Sequence, residues 1–596
     1  MRTNRKTEEK KMSMSKNIAR LAVTAGLTAA LSFGGVMAPV TMAFAADGGS
    51  TVTFSDPDYA ASTTYKGIQI FKATVTTTAE GTTVRNIAWA NDGVKAAVLS
   101  AIREKDSTFT SDHAQDAADW LNANAEVAGT DSKVASDNVL SLIAANLDGV
   151  SGWETTTAGS PSLSGLDAGY WLFLTATVGT PDGKSTDAFT SPVYAVIDGT
   201  STTTVKPKKS IPTVNKQILA ATSADPTQLT NGWAGVANSQ IGQEVTYKLT
   251  GKVADNYATY DSYAYKFTDT LSNGLDYVDG SLKVYAVKNG VYTPINSGYD
   301  PTTPTEGNRV LTVNFAVDKA TGKKGLKDID FVNADTEIVV FYKAKLNKNA
   351  VTGNGTGKKG NYNAVKLEYS NNPYTEGTGT SVEGGAGDFT FKLNLNKVDQ
   401  GTEKGLAGAV FTIKSNNKYV ASKDGNGFVA GELVDVADNS DLPEYVKFTS
   451  TDEGKIAVKG LDAGTYTVTE IKAPNDKYTV ANPFTFTIEA KYKDNAAELE
   501  KITVSPSQND ERRSDVALGT LNNTPGDNTL TATDNTAANV QTGEVNITIG
   551  NTKQVGLPLT GLNGVTFTWI AGGAVLCIGV AHLIRSRKQA EESEQE

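Results

Sequence analysis

The chain has 596 residues, a formal charge of −11, one cysteine and two histidines. At roughly 100–200 residues per domain, that length suits about three or four domains. The acidic balance argues against a nucleic-acid footprint. The lone Cys577 excludes intramolecular disulfides, cysteine-based zinc sites and CxxC redox chemistry. With only His113 and His582, histidine metal clusters and most histidine-based catalysis are excluded as well. Abundant Gly and Thr with 8% aromatics favour β-rich domains over disorder or coiled coil.

The N-terminus reads as a secretion signal over residues 1–45. Arg2, Arg5, Lys6, Lys10, Lys11, Lys16 and Arg20 form a basic lead. An apolar, small-residue stretch follows, and Ala43-Phe44-Ala45 fits a cleavage site before Ala46. The mature chain is then exported without a disulfide, so something else must supply resistance to unfolding.

Residues 46–205 mix strands with helices. Residues 65–71 form an early strand. Three amphipathic helices follow, each with i, i+3/i+4 spacing. The first carries Val94, Val98 and Ile102. The second, capped by Ser111, carries Ala114, Ala117, Ala118 and Leu121. The third, capped by Ser136, carries Val139, Leu140, Ile143, Ala144 and Leu147. Strands return at 170–176 and 192–197, so this domain is expected to be α+β.

A polar, Pro- and Lys-bearing link spans 200–210. From 211 to 375 strand follows strand. Leu311, Val313, Phe315 and Val317 alternate, as do Ile338, Val340, Tyr342, Ala344 and Leu346. That pattern predicts a β-sandwich. Residues 371–387 are Gly-, Asn- and Thr-rich and read as a second linker. Residues 388–553 form another all-β unit. The expected fold is mainly β, an N-terminal α+β domain followed by two immunoglobulin-like β-sandwich domains in a linear rod.

At the C-terminus, residues 557–596, Leu557-Pro558-Leu559-Thr560-Gly561 precede an apolar stretch at 565–584 and a basic end, Arg585-Ser586-Arg587-Lys588. About 20 apolar residues are long enough to span a bilayer, and the basic end stays cytoplasmic. This arrangement resembles the LPxTG sorting signal of Gram-positive surface proteins. The resemblance implies that a sortase cysteine attacks the Thr560 carbonyl, releases Gly561 onward and passes Thr560 to an amine.

Strand parity exposes a second pattern. Phe389, Phe391, Leu393, Leu395 and Lys397 share a face; so do Tyr466, Val468 and Glu470; so do Val545, Ile547, Ile549 and Asn551. Three strands each put one polar group where a core residue belongs. The middle domain repeats this with Val214, Lys216 and Ile218; with Tyr263, Tyr265, Phe267, Asp269 and Leu271; and with Asn363, Val365, Leu367 and Tyr369. A buried, unpaired ammonium is costly and tends to neutralise. Beside an acid and an amide, the neutral amine can attack the Asn carbonyl and expel ammonia, leaving a Lys–Asn isopeptide bond. The bland alternative is a lysine at a strand end that snorkels to water.

The segment 461–474, containing Tyr466-Thr467-Val468-Thr469-Glu470-Ile471-Lys472-Ala473-Pro474, resembles the E-box of sortase-assembled pilins. Ile471 stands where that motif has Thr. Leu406-Ala407-Gly408-Ala409-Val410-Phe411 after Lys397, and Ile549-Gly550-Asn551-Thr552-Lys553, look like the opening and closing of a collagen-adhesin B-type domain. The resemblance implies a Lys397–Asn551 bond with Glu470 as catalytic acid. The middle domain resembles the isopeptide-forming fimbrial domain. There the implied set is Lys216, Asp269 as acid and Asn363, with Asn371 of equal parity as the alternative partner. Thr203-Thr204-Val205-Lys206-Pro207-Lys208-Lys209 resembles the pilin motif ending V-x-V-Y-P-K. Its register makes Lys208 the lysine that links subunits, on an exposed, flexible strand end, with Lys206 and Lys209 as substitutes.

The whole arrangement resembles the major (backbone) subunit of a Gram-positive fimbria, anchored to the cell wall and not an enzyme in the turnover sense. The implied partners are a pilin-specific sortase, other copies of the chain, minor pilins and peptidoglycan, with host receptors as further candidates; no cofactor, metal or nucleic acid is implied. The rival is a singly anchored, matrix-binding adhesin, which does not need the Val205–Lys208 motif. A secreted hydrolase has no recognisable site in its favour. The sequence identifies neither the host receptor nor the particular sortase and minor pilins.

Overall fold

The computed structural model describes residues 49–553, apart from 79–80, 126–132, 220–224, 358, 423–429, 438–440, 495–496, 508–514, 519–529 and 533–537. The expected leader and the sorting signal at 557–596 lie outside the described residues. The fold is mainly β, with sheets that pack face to face.

The first unit runs β1 (Ser50–Phe54), β2 (Thr64–Thr78), β3 (Gly81–Trp89), α1 (Asp92–Lys105), α2 (Ala114–Asn124), α3 (Val139–Asn146), β4 (Ser162–Leu166), β5 (Gly169–Thr177), β6 (Val193–Ile197) and β7 (Thr202–Val205). One sheet has the order β3-β2-β5-β6 and a smaller one β4-β1-β7, with β1 and β7 parallel. Alternation splits the larger sheet between two cores. Ile68, Ile70, Leu172 and Leu174 face the helices. Tyr65, Trp171 and Phe173 face the small sheet, where Val205 also sits.

Two helix caps differ from expectation. His113, not Ser111, occupies the N-cap of α2. Ser111 lies two residues too early; its hydroxyl accepts from the His113 amide and donates to Asp116. The N-cap of α3 is Asn138, whose side chain accepts from the Leu140 amide at 2.9 Å. Ser136 sits upstream, its amide donating to the Ala258 carbonyl of the next unit. Asn caps as well as Ser, so composition alone did not choose between them. Part of the expected link at 200–210 is also strand, since β7 pairs with β1.

The second unit contains β8 (Val214–Leu219), β9 (Glu244–Lys252), β10 (Tyr265–Leu271), β11 (Val310–Phe315), β12 (Glu337–Leu346), β13 (Asn361–Ser370) and β14 (Gly384–Phe389). Strands β12, β9 and β8 are neighbours in one sheet; β14, β13, β10 and β11 are neighbours in the other. The segment 371–387, read as a linker, is therefore partly structural. Thr378–Thr380 and β14 both pair with β13. Its glycines explain the misreading. A Cβ on Gly385 would lie 2.0 Å from the Tyr362 hydroxyl, so glycine there marks close packing rather than a flexible link.

The third unit contains β15 (Phe391–Asp399), β16 (Val410–Ser415), β17 (Lys455–Leu461), β18 (Gly464–Lys472), β19 (Phe484–Tyr492), β20 (Leu499–Pro506) and β21 (Glu544–Asn551). One sheet has β17-β15-β21, with β15 and β21 parallel. The facing sheet has β16-β18-β19-β20. Phe391, Leu393, Leu395, Val468, Phe486, Ile547 and Ile549 fill the space between them.

The junction between the second and third units carries two acids. Asp388 is fully buried on β14. Its Oδ2 accepts from Ser239 Oγ at 2.5 Å, while Oδ1 has no side-chain partner among the described residues. Asp462 accepts from Asn238 Nδ2 at 2.6 Å, and Asn238 accepts in turn from the Tyr492 hydroxyl at 3.0 Å. Burial pushes the Asp388 carboxyl up to about 8 and Asp462 to about 6. A carboxyl raised in the folded state binds a proton that the unfolded chain has released. Its contribution to stability is therefore lost as pH rises from the ordinary carboxylate value through about 8. Asp388→Asn is expected to gain stability over wild type by a margin that widens between about pH 4 and 8, read as thermal midpoints of both proteins across that range.

Candidate functional site: two buried lysine–acid–asparagine clusters

In the third unit, Lys397 is near the end of β15 and Asn551 ends β21. The register pairs Lys397 with Ile549 and Asp399 with Asn551, so the two side chains are diagonal neighbours on one face. Glu470 reaches them from β18 in the facing sheet. All three are buried. Lys397 Nζ donates to Glu470 Oε2 at 3.1 Å and to Asn551 Oδ1. Asn551 Nδ2 donates to Glu470 Oε1 at 2.8 Å. The remaining demand of Oε2 is met by the Ala481 amide at 2.7 Å. Thus each oxygen of one carboxylate faces one of the two groups that would react.

Burial pulls the Lys397 ammonium down to about 8, opposed by the charge of Glu470. The lysine is held where its neutral, nucleophilic form is accessible near physiological pH. Its nearest carbonyl is the Asn551 amide. That is the arrangement needed for amine attack with an acid at hand to carry protons.

The chain leaves this cluster through a second clamp. Tyr478 bonds to Asp399 Oδ2 at 2.7 Å, and Lys553 approaches the same oxygen at 3.2 Å. Tyr478 also pairs with Lys553 in an isolated bridge.

In the second unit, Lys216 lies on edge strand β8, and Asp269 and Asn363 lie on β10 and β13 of the opposite sheet. All three are fully buried or nearly so. Lys216 Nζ contacts Asp269 Oδ2. Sequence reasoning missed Tyr342 on β12. Its hydroxyl accepts from Lys216 Nζ at 3.0 Å and from Asn363 Nδ2 at 2.5 Å, and it donates to Asp269 Oδ1 at 3.0 Å. Tyr342 had appeared in the sequence only as one of an alternating apolar set, where a tyrosine reads as core. Burial lowers the Lys216 ammonium to about 8 and raises the Asp269 carboxyl, each opposed by the charge of the other. Both shifts favour a neutral amine beside a protonated acid. The alternative partner, Asn371, is elsewhere: its Nδ2 donates to the Asp187 carbonyl of the first unit at 3.1 Å.

The lysines of 206–209 differ sharply. Lys206 is exposed. Lys208 is half-buried, and its backbone is tied down, its amide donating to Thr190 Oγ1 at 2.7 Å and its carbonyl accepting from Ser191. The expected flexible strand end is thus anchored at this residue. Lys209 is drawn inward, its Nζ on Asp56 Oδ2 at 2.6 Å and on Asp187, which also accepts from Thr63 at 2.6 Å. Thr560 lies outside the described residues.

Removing Glu470 leaves Lys397 buried against a single amide. Glu470→Ala is expected to cost the third unit about 3–5 kcal/mol, measured as a lower denaturant midpoint than in wild type.

Three comparisons bear on these units. Residues 391–503 match the family model described as SpaA, prealbumin-like fold domain. No curated protein sequence matches the chain. Among solved structures, the chain is similar to the T6 backbone pilin of Streptococcus pyogenes, at 15% identity and a TM-score of 0.47 over 86% of this chain and 100% of that one. It is also similar to the major pilin SpaD of Corynebacterium diphtheriae, at 16% identity and a TM-score of 0.41 over 86% and 99%. A third similarity is to BcpA, the major pilin subunit of Bacillus cereus, at 17% identity and a TM-score of 0.33 over 67% and 89%. The third unit thus carries the match to the prealbumin-like domain, and the three similar structures are each a backbone or major pilin at 15–17% identity.

Proposed function

We propose that the chain is the major subunit of a cell-wall-anchored surface fimbria, polymerised by a sortase and stiffened by Lys–Asn isopeptide bonds within its second and third units. The observation that carries this reading is the buried convergence of Lys397, Glu470 and Asn551. A structural ion pair needs no carboxamide on the lysine amine, and a buried lysine with one acid is a poor source of stability on its own.

The chemistry balances without a cofactor. The Lys397 ammonium gives a proton to Glu470, and the neutral Nζ attacks Cγ of Asn551. The second Nζ proton is taken up as the Cγ–Nδ2 bond breaks, with Glu470 handing a proton to the leaving nitrogen. Ammonia departs, an amide remains, and the carboxyl ends protonated. This happens once per unit, so the protein is a polymer subunit rather than a turnover enzyme.

Between subunits, the Thr560 carbonyl of one copy, held by the sortase, is attacked by Lys208 of the next. Lys209 is the weaker alternative, because its amine already lies between two carboxylates. Exposed Lys206 is the stronger one. The partners are then a pilin-specific sortase, further copies of the chain, minor pilins and peptidoglycan. A singly anchored adhesin would share the sorting signal and the bonds but not the lysine-dependent polymer.

Blotted wall extracts of wild type are expected to show a boiling-resistant ladder that collapses to monomer in Lys208→Ala. A wild type that runs only as monomer would overturn the fimbrial reading in favour of the adhesin. Within the subunit, Lys397 and Asn551 are 154 positions apart. By analogy with a disulfide closing so long a loop, Asn551→Ala should cost roughly 5 kcal/mol, together with a mass higher by one ammonia than the sequence-corrected wild type.

A further inference from the structure

The two clusters differ in how the acid reaches the amide. In the third unit, Glu470 touches both reacting groups directly, one oxygen to each. In the second unit the acid is an aspartate, one methylene shorter. Asp269 meets Lys216 through Oδ2, but its link to Asn363 runs through the Tyr342 hydroxyl. That hydroxyl is 2.5 Å from Asn363 Nδ2, the nitrogen that would leave, and 3.0 Å from Asp269 Oδ1.

The ring is fixed for this role. Tyr342 on β12 pairs directly with Tyr247 on β9, and the two rings stack at 5.3 Å with 19° between planes. Lys216 Nζ lies 4.9 Å from the Tyr247 ring centroid, so the amine is boxed in by the same pair. Burial and the nearby Asp269 charge hold the Tyr342 phenol well above its ordinary range, which keeps it protonated and able to donate.

Resting on the isopeptide reading above, we infer that Tyr342 is a catalytic proton relay between Asp269 and the leaving nitrogen of Asn363. Lys216 first protonates Asp269, and its neutral Nζ attacks Cγ of Asn363. As the Cγ–Nδ2 bond breaks, the Tyr342 O–H protonates Nδ2 and is itself reprotonated from Asp269. The carboxylate then takes one of the two protons left on Nζ, and the other stays on the new amide. The products are a Lys216–Asn363 amide, ammonia, a neutral tyrosine and a protonated aspartate, so every proton is accounted for.

The test uses the mature chain, intact mass and peptide mapping. Wild type is expected to lack two ammonia masses, one per unit. Tyr342→Phe keeps the stacked ring and removes only the hydroxyl. It is expected to retain the ammonia of the second unit while losing that of the third, with bond formation on incubation slowed on the order of 100-fold. The double variant Tyr342→Phe with Asp269→Glu, whose longer carboxylate can reach Asn363 as Glu470 reaches Asn551, is expected to restore the bond. Rescue of that kind separates proton transfer from packing. Second-unit bonding in Tyr342→Phe at the wild-type extent and rate would overturn the relay. So would a folded double variant, with wild-type near-UV circular dichroism, in which Asp269→Glu fails to restore the bond. A wild type unbonded at Lys216 would instead overturn the isopeptide reading for that unit, and the relay with it.

Discussion

A lysine ammonium that folding removes from water constrains everything around it. Lys397 and Lys216 are fully enclosed, and each sits in a layer of Phe, Tyr, Leu and Ile side chains. An isolated charge there would cost more than the whole domain's net stability. The surrounding sheets therefore have to deliver an acid and an amide to the same point, from different strands. In the third unit that requires β15 and β21 to be in parallel register, offset so that Asn551 lies one pleat beyond Lys397, and β18 to cross above them. A slip of one residue in any of the three strands would move its polar group to the other face.

The placement of the lysines has a mechanical consequence. Each lies on the first strand of its unit, and each asparagine lies on the last or nearly last. In the third unit these strands are adjacent and parallel. Tension that enters at β15 and leaves at β21 would otherwise shear a single ladder of backbone hydrogen bonds. The proposed covalent link at that point would carry the load past everything between residues 397 and 551. In the second unit the lysine and the asparagine are in opposite sheets, so the proposed bond there would tie one sheet to the other across the core. The two bonds would thus resist different failures: strand sliding in one unit and sheet separation in the other.

Much of this was legible in the sequence because strand parity is a strict rule. A polar residue in phase with two to four apolar ones is expected to face the core, and that pattern marked Lys397, Glu470, Asn551, Lys216, Asp269 and Asn363, whose grouping into two sets came from the resemblance to pilin domains. Parity fails where a residue is ambiguous about what it wants. Tyr342 fits an apolar alternation through its ring and a polar cluster through its hydroxyl, and nothing in its neighbours distinguishes the two. Asn371 shares parity with Asn363, yet it lies four pleats on, beyond the core and against Asp187 of the first unit. Composition misled for β14, where glycines that allow Tyr362 and Phe389 to pack closely were read as a flexible link. The Asn138 and His113 caps were missed because a cap is chosen by where the backbone turns, and serines stood nearby.

Neighbouring lysines at the end of the first unit have opposite fates. Val205, the last residue of β7, is buried against the small sheet. Beyond it Lys209 points inward, into the carboxylates of Asp56, just past β1, and Asp187. Lys206 is exposed and Lys208 half-buried. Asp56 and Lys209 join the entry and the exit of the unit, so the ion cluster closes the small sheet where β1 and β7 run side by side. Bonding of the Lys208 backbone to Thr190 and Ser191 holds the intervening residue in place. On the proposed linkage, Lys208 would gain from this: its backbone is already fixed by its neighbours, so less conformational entropy would be lost when its side chain meets an acyl group on another protein. The ion pairs that hold Lys209 would then leave the linking role to its neighbour.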